Sequence, residues 1–130
     1  EQDRIRPVDR TNLALAYMDE YIRRPDPDIL EKALKQCDIA LKTDNSPSIP
    51  YAIKGHIYNL QGVRPEDAIL ELKKALIHEN RSPFLYNEIS GIYYKSGDYN
   101  RALFFIDRAL ALFPGNKVFE KNKSLIADKI

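Results

Sequence analysis

The chain has 130 residues, the size of one ordinary domain. It is 44% hydrophobic, with 8 Tyr and 5 Phe, which suffices for a core and is unlike the aromatic-poor composition of a disordered segment. Its 20 basic and 19 acidic residues leave a formal charge of +1, so the uniform basic field with which nucleic-acid binders neutralise phosphates is absent, and no nucleic-acid partner is expected. No stretch approaches about 18 uncharged apolar residues, so no membrane span is expected. The single cysteine, Cys37, excludes an internal disulfide. The first residue is Glu1, so the natural start is expected to lie upstream, and whether a signal or anchor stands there is left open. The compartment is left open.

In chain order, Pro7 stands near the start of a first amphipathic stretch, where its missing N–H costs little. Asn12-Leu13-Ala14-Leu15-Ala16-Tyr17 continue the stretch through Tyr21 and Ile22 until Pro25 and Pro27 stop it. A second helix is expected to start near Asp26 or Asp28, whose carboxylates suit the exposed N–H groups of a helix N-terminus. It carries Ala33-Leu34 and, seven positions on, Ala40-Leu41. The next stretch has Pro50 near its start, then Tyr51, Gly55 and Tyr58, and it ends at Gln61-Gly62. Ala68-Ile69 and Ala75-Leu76 follow, again seven apart. Pro83 precedes Tyr86, Ile89, Ser90 and Tyr93, which run into the break Lys95-Ser96-Gly97-Asp98, and Ala102-Leu103 with Ala109-Leu110 complete the series. The last 14 residues, 117–130, read as one more helix with Val118, Phe119, Asn122, Leu125 and Ile126 on one side.

The first alanines of the three pairs are 35 and then 34 residues apart. Seven positions is two helical turns, so both alanines of a pair share one stripe, where a neighbouring helix can approach closely. A bulky side chain there would cost about 1–3 kcal/mol by overpacking. The breaks at Gly62 and Gly97 place glycine where a helix end needs a left-handed residue. Helix, turn, helix, short loop, repeated three times, makes an all-α helical solenoid. Solenoids close their last open face with an atypical helix, the role assigned to 117–130. Such a chain is either a complete small domain or a cleanly cut piece of a longer array.

The run Tyr86-Asn87-Glu88-Ile89-Ser90-Gly91-Ile92-Tyr93-Tyr94-Lys95-Ser96-Gly97-Asp98-Tyr99-Asn100-Arg101-Ala102, followed by Ala109-Leu110 and Pro114-Gly115-Asn116, resembles a tetratricopeptide (TPR) repeat nearly position by position. The resemblance implies a right-handed solenoid of three such repeats, about 7–47, 48–82 and 83–116, with a capping helix at 117–130. The other two units depart from the family. The second has one extra residue in its turn, Val63-Arg64-Pro65-Glu66, and Asn80 where the family has proline. It also has Lys54 at a normally apolar position, which leaves the phase of that helix open by one residue. The first unit holds about seven surplus residues between Tyr17 and Ala33, read as an extended first helix.

Features that would carry chemistry are missing. The sequence has no Gly-rich phosphate loop, no paired-cysteine spacing and no His-Glu-x-x-His run, so no enzyme, cofactor or metal is expected. His56 and His78 are read as one groove-lining and one surface histidine. Cys37 falls on the packed stripe of its helix and is read as a small core hydrophobe. Glu66, Asp67 and Glu71 are read as ordinary acids complementing a helix dipole, with Lys73 and Lys74 further along.

By the resemblance, the first helices of successive repeats line a concave groove that commonly holds a peptide or partner helix. The family's groove positions fall on Thr11, Asn12, Leu15, Met18 and Asp19 in the first unit and on Ile49, Ala52, Ile53, His56, Asn59 and Leu60 in the second. The third contributes Phe84, Asn87, Glu88, Gly91, Tyr94 and Lys95. TPR domains that grip acidic chaperone C-termini use Lys, Asn and Arg where this chain has Ile53, Phe84 and Glu88, so a carboxylate clamp is not expected. The expected function is a protein-interaction adaptor binding a partner peptide or helix. The alternatives are a self-associating module or array fragment, served by the long first helix and exposed aromatics such as Tyr21, and a regulatory domain of an enzyme encoded elsewhere.

Overall fold

The computed structural model describes residues 5–43, 47–62 and 64–130, so Val63 of the second turn lies outside the described residues. Seven helices occupy the described residues: α1 (Pro7–Arg23), α2 (Pro27–Leu41), α3 (Ser48–Gln61), α4 (Pro65–His78), α5 (Pro83–Lys95), α6 (Tyr99–Leu112) and α7 (Lys117–Ala127). Their ends follow local chemistry. Four helices begin with proline at the first turn, and Asp26 caps α2 by accepting from the Asp28 N–H at 3.0 Å. Pro50, expected near the start of its helix, is the third residue of α3. Gly62 and Gly97 adopt φ of 67° and 80°, the left-handed region that ends α3 and the α5–α6 turn.

Helices pack in consecutive antiparallel pairs, α1 on α2, α3 on α4 and α5 on α6, with α2 against α3, α4 against α5 and α7 closing on α6. This is a helical solenoid. Its core lies in seams that join each pair to the next helix. Ala14, Met18, Leu30, Ala33 and Cys37 meet Ile53 and Ile57 of α3, while Ala68, Ile69 and Leu72 meet Ile89 and Ile92 of α5. Tyr86, Ala102, Ile106 and Ala109 meet Phe119 and Ile126 of α7. All six alanines of the repeated pairs are buried. The close approach is tightest at Gly55, where a Cβ would lie 2.5 Å from Leu72 Cγ. At the corresponding place in the third pair, the Ser90 hydroxyl donates to the Ala102 carbonyl at 2.7 Å.

Lys54 has a polar solution to its apolar position. Its side chain is only 15% exposed and its Nζ lies 2.9 Å from Asp38 on α2 and 3.5 Å from Glu71 on α4. Burial pulls the ammonium pKa down, but the Asp38 hydrogen bond and the Glu71 and Asp38 charges outweigh it and hold Lys54 above its ordinary value. Glu71, read as an acid complementing the helix dipole, is instead a buried ion-pair partner. Its side chain is 7% exposed and pairs on its other oxygen with Lys74 at 3.1 Å. Repeat spacing places Lys54 and Glu71 where the third pair has Ile89 and Phe105, so an ion pair stands in for an apolar contact. At the next junction Lys73 lies over the rings of Phe105 and Tyr93, at 5.6 and 5.8 Å.

Candidate functional site

Helices α1, α3, α5 and α7 turn one side toward two adjoining cavities. The first, about 410 Å³, is walled by α3, α5 and α7. The second, about 570 Å³, is walled by α1, α3 and α5. His56 and Glu88 line both and form the partition. The apolar walls include side chains left exposed: Leu15, Ile22, Ile49, Leu60, Leu125 and Phe84, the last 64% exposed with its edge against the buried Phe119.

The partition is a hydrogen-bonded cluster. The His56 Nδ1–H donates to Glu88 Oε2 at 2.7 Å, and the Asn59 amide donates to the same oxygen at 3.2 Å. The hydrogen bond to Glu88, opposed by partial burial and assisted by the carboxylate charge, raises the His56 pKa above its ordinary 6.5. Across the first cavity, the Asn122 amide of α7 donates to Asn87 Oδ1 of α5 at 2.9 Å. These carboxylate and amide groups offer donors and acceptors between apolar walls, a pattern suited to a peptide backbone.

The sequence-derived groove residues fall as follows. His56, Asn59, Phe84, Asn87, Glu88, Gly91, Tyr94 and Lys95 line the first cavity. Leu15, Met18, Ile49, Ala52, Ile53 and Leu60 line the second, together with the shared His56 and Glu88. Ile53 serves mainly as core, packed with Ile57 and Cys37. Asn12 lies exposed on α1 and lines neither cavity, nor does Asp19. Thr11 is buried, its hydroxyl donating to the Pro7 carbonyl at 3.0 Å. Tyr21, expected to be exposed, is half-buried against the first core seam and walls the second cavity beside Ile22 and Pro25. Sequence reasoning missed the contributions of Leu85, Ser90, Asn122, Leu125 and Ile126. Reading Asn122 and Leu125 beside the buried Phe119 and Ile126 was the available signal, since a helix that closes the core also borders the groove.

Outside the groove, His78 stacks on Tyr51 with ring centroids 6.1 Å apart. Cys37 is fully buried, and burial pushes its thiol up to about 12. Among the described residues no group of three or more His, Cys, Asp or Glu side chains could hold a metal, and no helix is long and apolar enough to cross a membrane.

Comparison with known proteins places this geometry in a class. The tetratricopeptide repeat family model matches residues 83–116. Among solved structures, a thermophilic TPR protein of Thermus thermophilus is similar over 93% of this chain at 22% identity and a TM-score of 0.80. The MamA protein is similar over 95% at 17% identity, also at 0.80. This chain spans 63% of the length of each. The Yersinia enterocolitica type III secretion chaperone SycD, solved with a peptide of the translocator YopD, is similar over 92% of this chain and 86% of its own, at 14% identity and 0.72. No curated protein sequence matches. Residues 83–116 are a tetratricopeptide repeat, and the chain as a whole has the fold of tetratricopeptide-repeat proteins.

Proposed function

We propose that the chain is a non-catalytic scaffold whose groove receives a segment of a partner protein. The observation that carries this reading is the pair of adjoining cavities, walled by apolar side chains that the fold leaves uncovered. Apolar area hidden from water on docking supplies the affinity, and Phe84, the most exposed aromatic in the walls, is the natural anchor. Asn59, Asn87 and Asn122 supply the polar contacts that fix the bound backbone. The likeness to SycD, whose structure holds a translocator peptide, supports the reading at the level of the fold.

The test is a selection of random dodecapeptides displayed on phage, made on the immobilised chain. Selected peptides should lose binding on Phe84→Asp and Leu15→Asp and keep it on Ile77→Asp, a 79% exposed residue of α4 that lines neither cavity. The reverse pattern, with circular dichroism showing all three folded, would sink the reading. Light-scattering mass across a concentration series addresses self-association: a constant mass near 15.0 kDa leaves the groove free for another protein.

A further inference from the structure

We propose that the segment received by the groove carries a basic side chain, arginine or lysine, between two apolar ones, with the cation on Glu88 and an apolar residue in each cavity. This rests on the groove reading above and specifies its ligand. Among the described residues Glu88 is the one carboxylate that lines these cavities, and it stands on the partition that borders both. Its Oε2 is committed to His56 and Asn59, at 2.7 and 3.2 Å. Its Oε1 accepts no hydrogen bond among the described residues.

That half-satisfied carboxylate is 21% exposed, so little water reaches it once apolar side chains fill the space on either side. A docked segment without a donor there would strand an acceptor in low dielectric, whereas a guanidinium or ammonium forms a charge-assisted bond. The clamp by His56 and Asn59 holds the carboxylate in place beforehand, which lowers the ordering cost of that bond. Lys95, the lysine among the described wall residues, reinforces the register. It borders the first cavity only and has no ion pair among the described residues, so it repels a basic residue from that end and favours the partition. An acidic residue at the partition would face Glu88 like against like.

Peptides selected from the random dodecapeptide library are measured by fluorescence anisotropy on the full chain, each with its central basic residue replaced by Gln and by Glu. The expected set is enriched in a basic residue between two apolar ones. Changing that residue to Gln should weaken binding about tenfold, and changing it to Glu further. On Glu88→Gln, the basic-to-Gln difference should shrink to within about twofold. If Glu88→Gln does not fold, Glu88→Asp replaces it, and the withdrawn carboxylate should still reduce the difference. Binders that need Phe84 and Leu15 but show no basic preference would overturn this proposal and leave the groove reading standing. A basic preference undiminished by the Glu88 variants would overturn the assignment of Glu88. Binders indifferent to Phe84→Asp and Leu15→Asp, or a library that yields no binder, would overturn both.

Discussion

Gly91 lies inside α5 on the wall of the first cavity, and a Cβ added there would meet no atom within 4 Å. Glycine in a helix interior costs about 0.5–1 kcal/mol relative to alanine, because the unfolded chain loses more freedom on folding. With no clash to offset that gain, Gly91→Ala should stabilise the chain by about 0.5–1 kcal/mol, which raises the melting temperature by roughly 2–5 °C for a chain of this size. Gly91→Leu keeps much of the helical gain but directs a branched side chain into a cavity of about 410 Å³. Binding of a selected peptide should fall at least about tenfold, the loss of roughly one anchor contact. Thermal melts followed by circular dichroism and anisotropy titrations read the two effects separately. Melting of Gly91→Ala below the parent would show that the space is not open. A Gly91→Leu chain that melts high and binds with unchanged affinity would show that the partner does not enter this cavity.

Four further outcomes are expected from the same packing. Lys54→Met should cost about 3 kcal/mol in urea denaturation, because Glu71 stays buried with only Lys74 to pair, and Glu71→Leu in the same chain should recover most of it; an additive double mutant would refute the coupling. Gly55→Ala should destabilise by about 1–3 kcal/mol, since its Cβ would meet Leu72 Cγ at 2.5 Å and the Ala68 carbonyl oxygen at 3.1 Å, and unchanged stability would contradict that packing. His56 should titrate above 6.5 by NMR and shift downward in Glu88→Gln; because the folded pKa is the raised one, its stability contribution is complete below the unfolded value and disappears as pH rises through the folded value. Cys37 should resist a thiol reagent at neutral pH until denaturant is added, and rapid labelling of the native chain would contradict its burial.

Periodicity made the helices legible because it depends only on spacing along the chain. The alanine pairs sit on the buried stripes, Asp26 caps where an acidic N-cap was expected, and Cys37 is core. The misreadings share a different cause. Glu71 looked like a dipole-complementing acid because the cations that enclose it come from two places, Lys74 one turn on and Lys54 on another helix. Lys54 looked out of phase for the same reason, since its second partner Asp38 belongs to the preceding pair. Ile53, placed at a groove position, both lines the second cavity and packs in the core seam with Met18 and Cys37. Which side of an amphipathic stripe meets a neighbour and which meets the groove depends on helix rotation, and one repeat unit does not encode that.

The parts of the chain that depart from the repeat are the parts that bound the groove. The surplus residues of the first unit lengthen α1, and Tyr21, Ile22 and Pro25 from that extension wall the outer end of the second cavity. At the opposite end α7, which follows no repeat pattern, walls the first cavity with Asn122, Leu125 and Ile126 while Phe119 and Ile126 close the last core seam. A regular stack would present an open trough of indefinite length. Among the described residues the two irregular helices wall two cavities, and the carboxylate of Glu88 between them is held by His56 and Asn59 from the regular middle. The core and the cavity walls are thus shared differently by α7 and by α1. Truncating α7 would uncover Phe119's seam and dismantle the first cavity together, whereas Ile22, largely exposed on α1, can be changed to test the second cavity with little cost to the core.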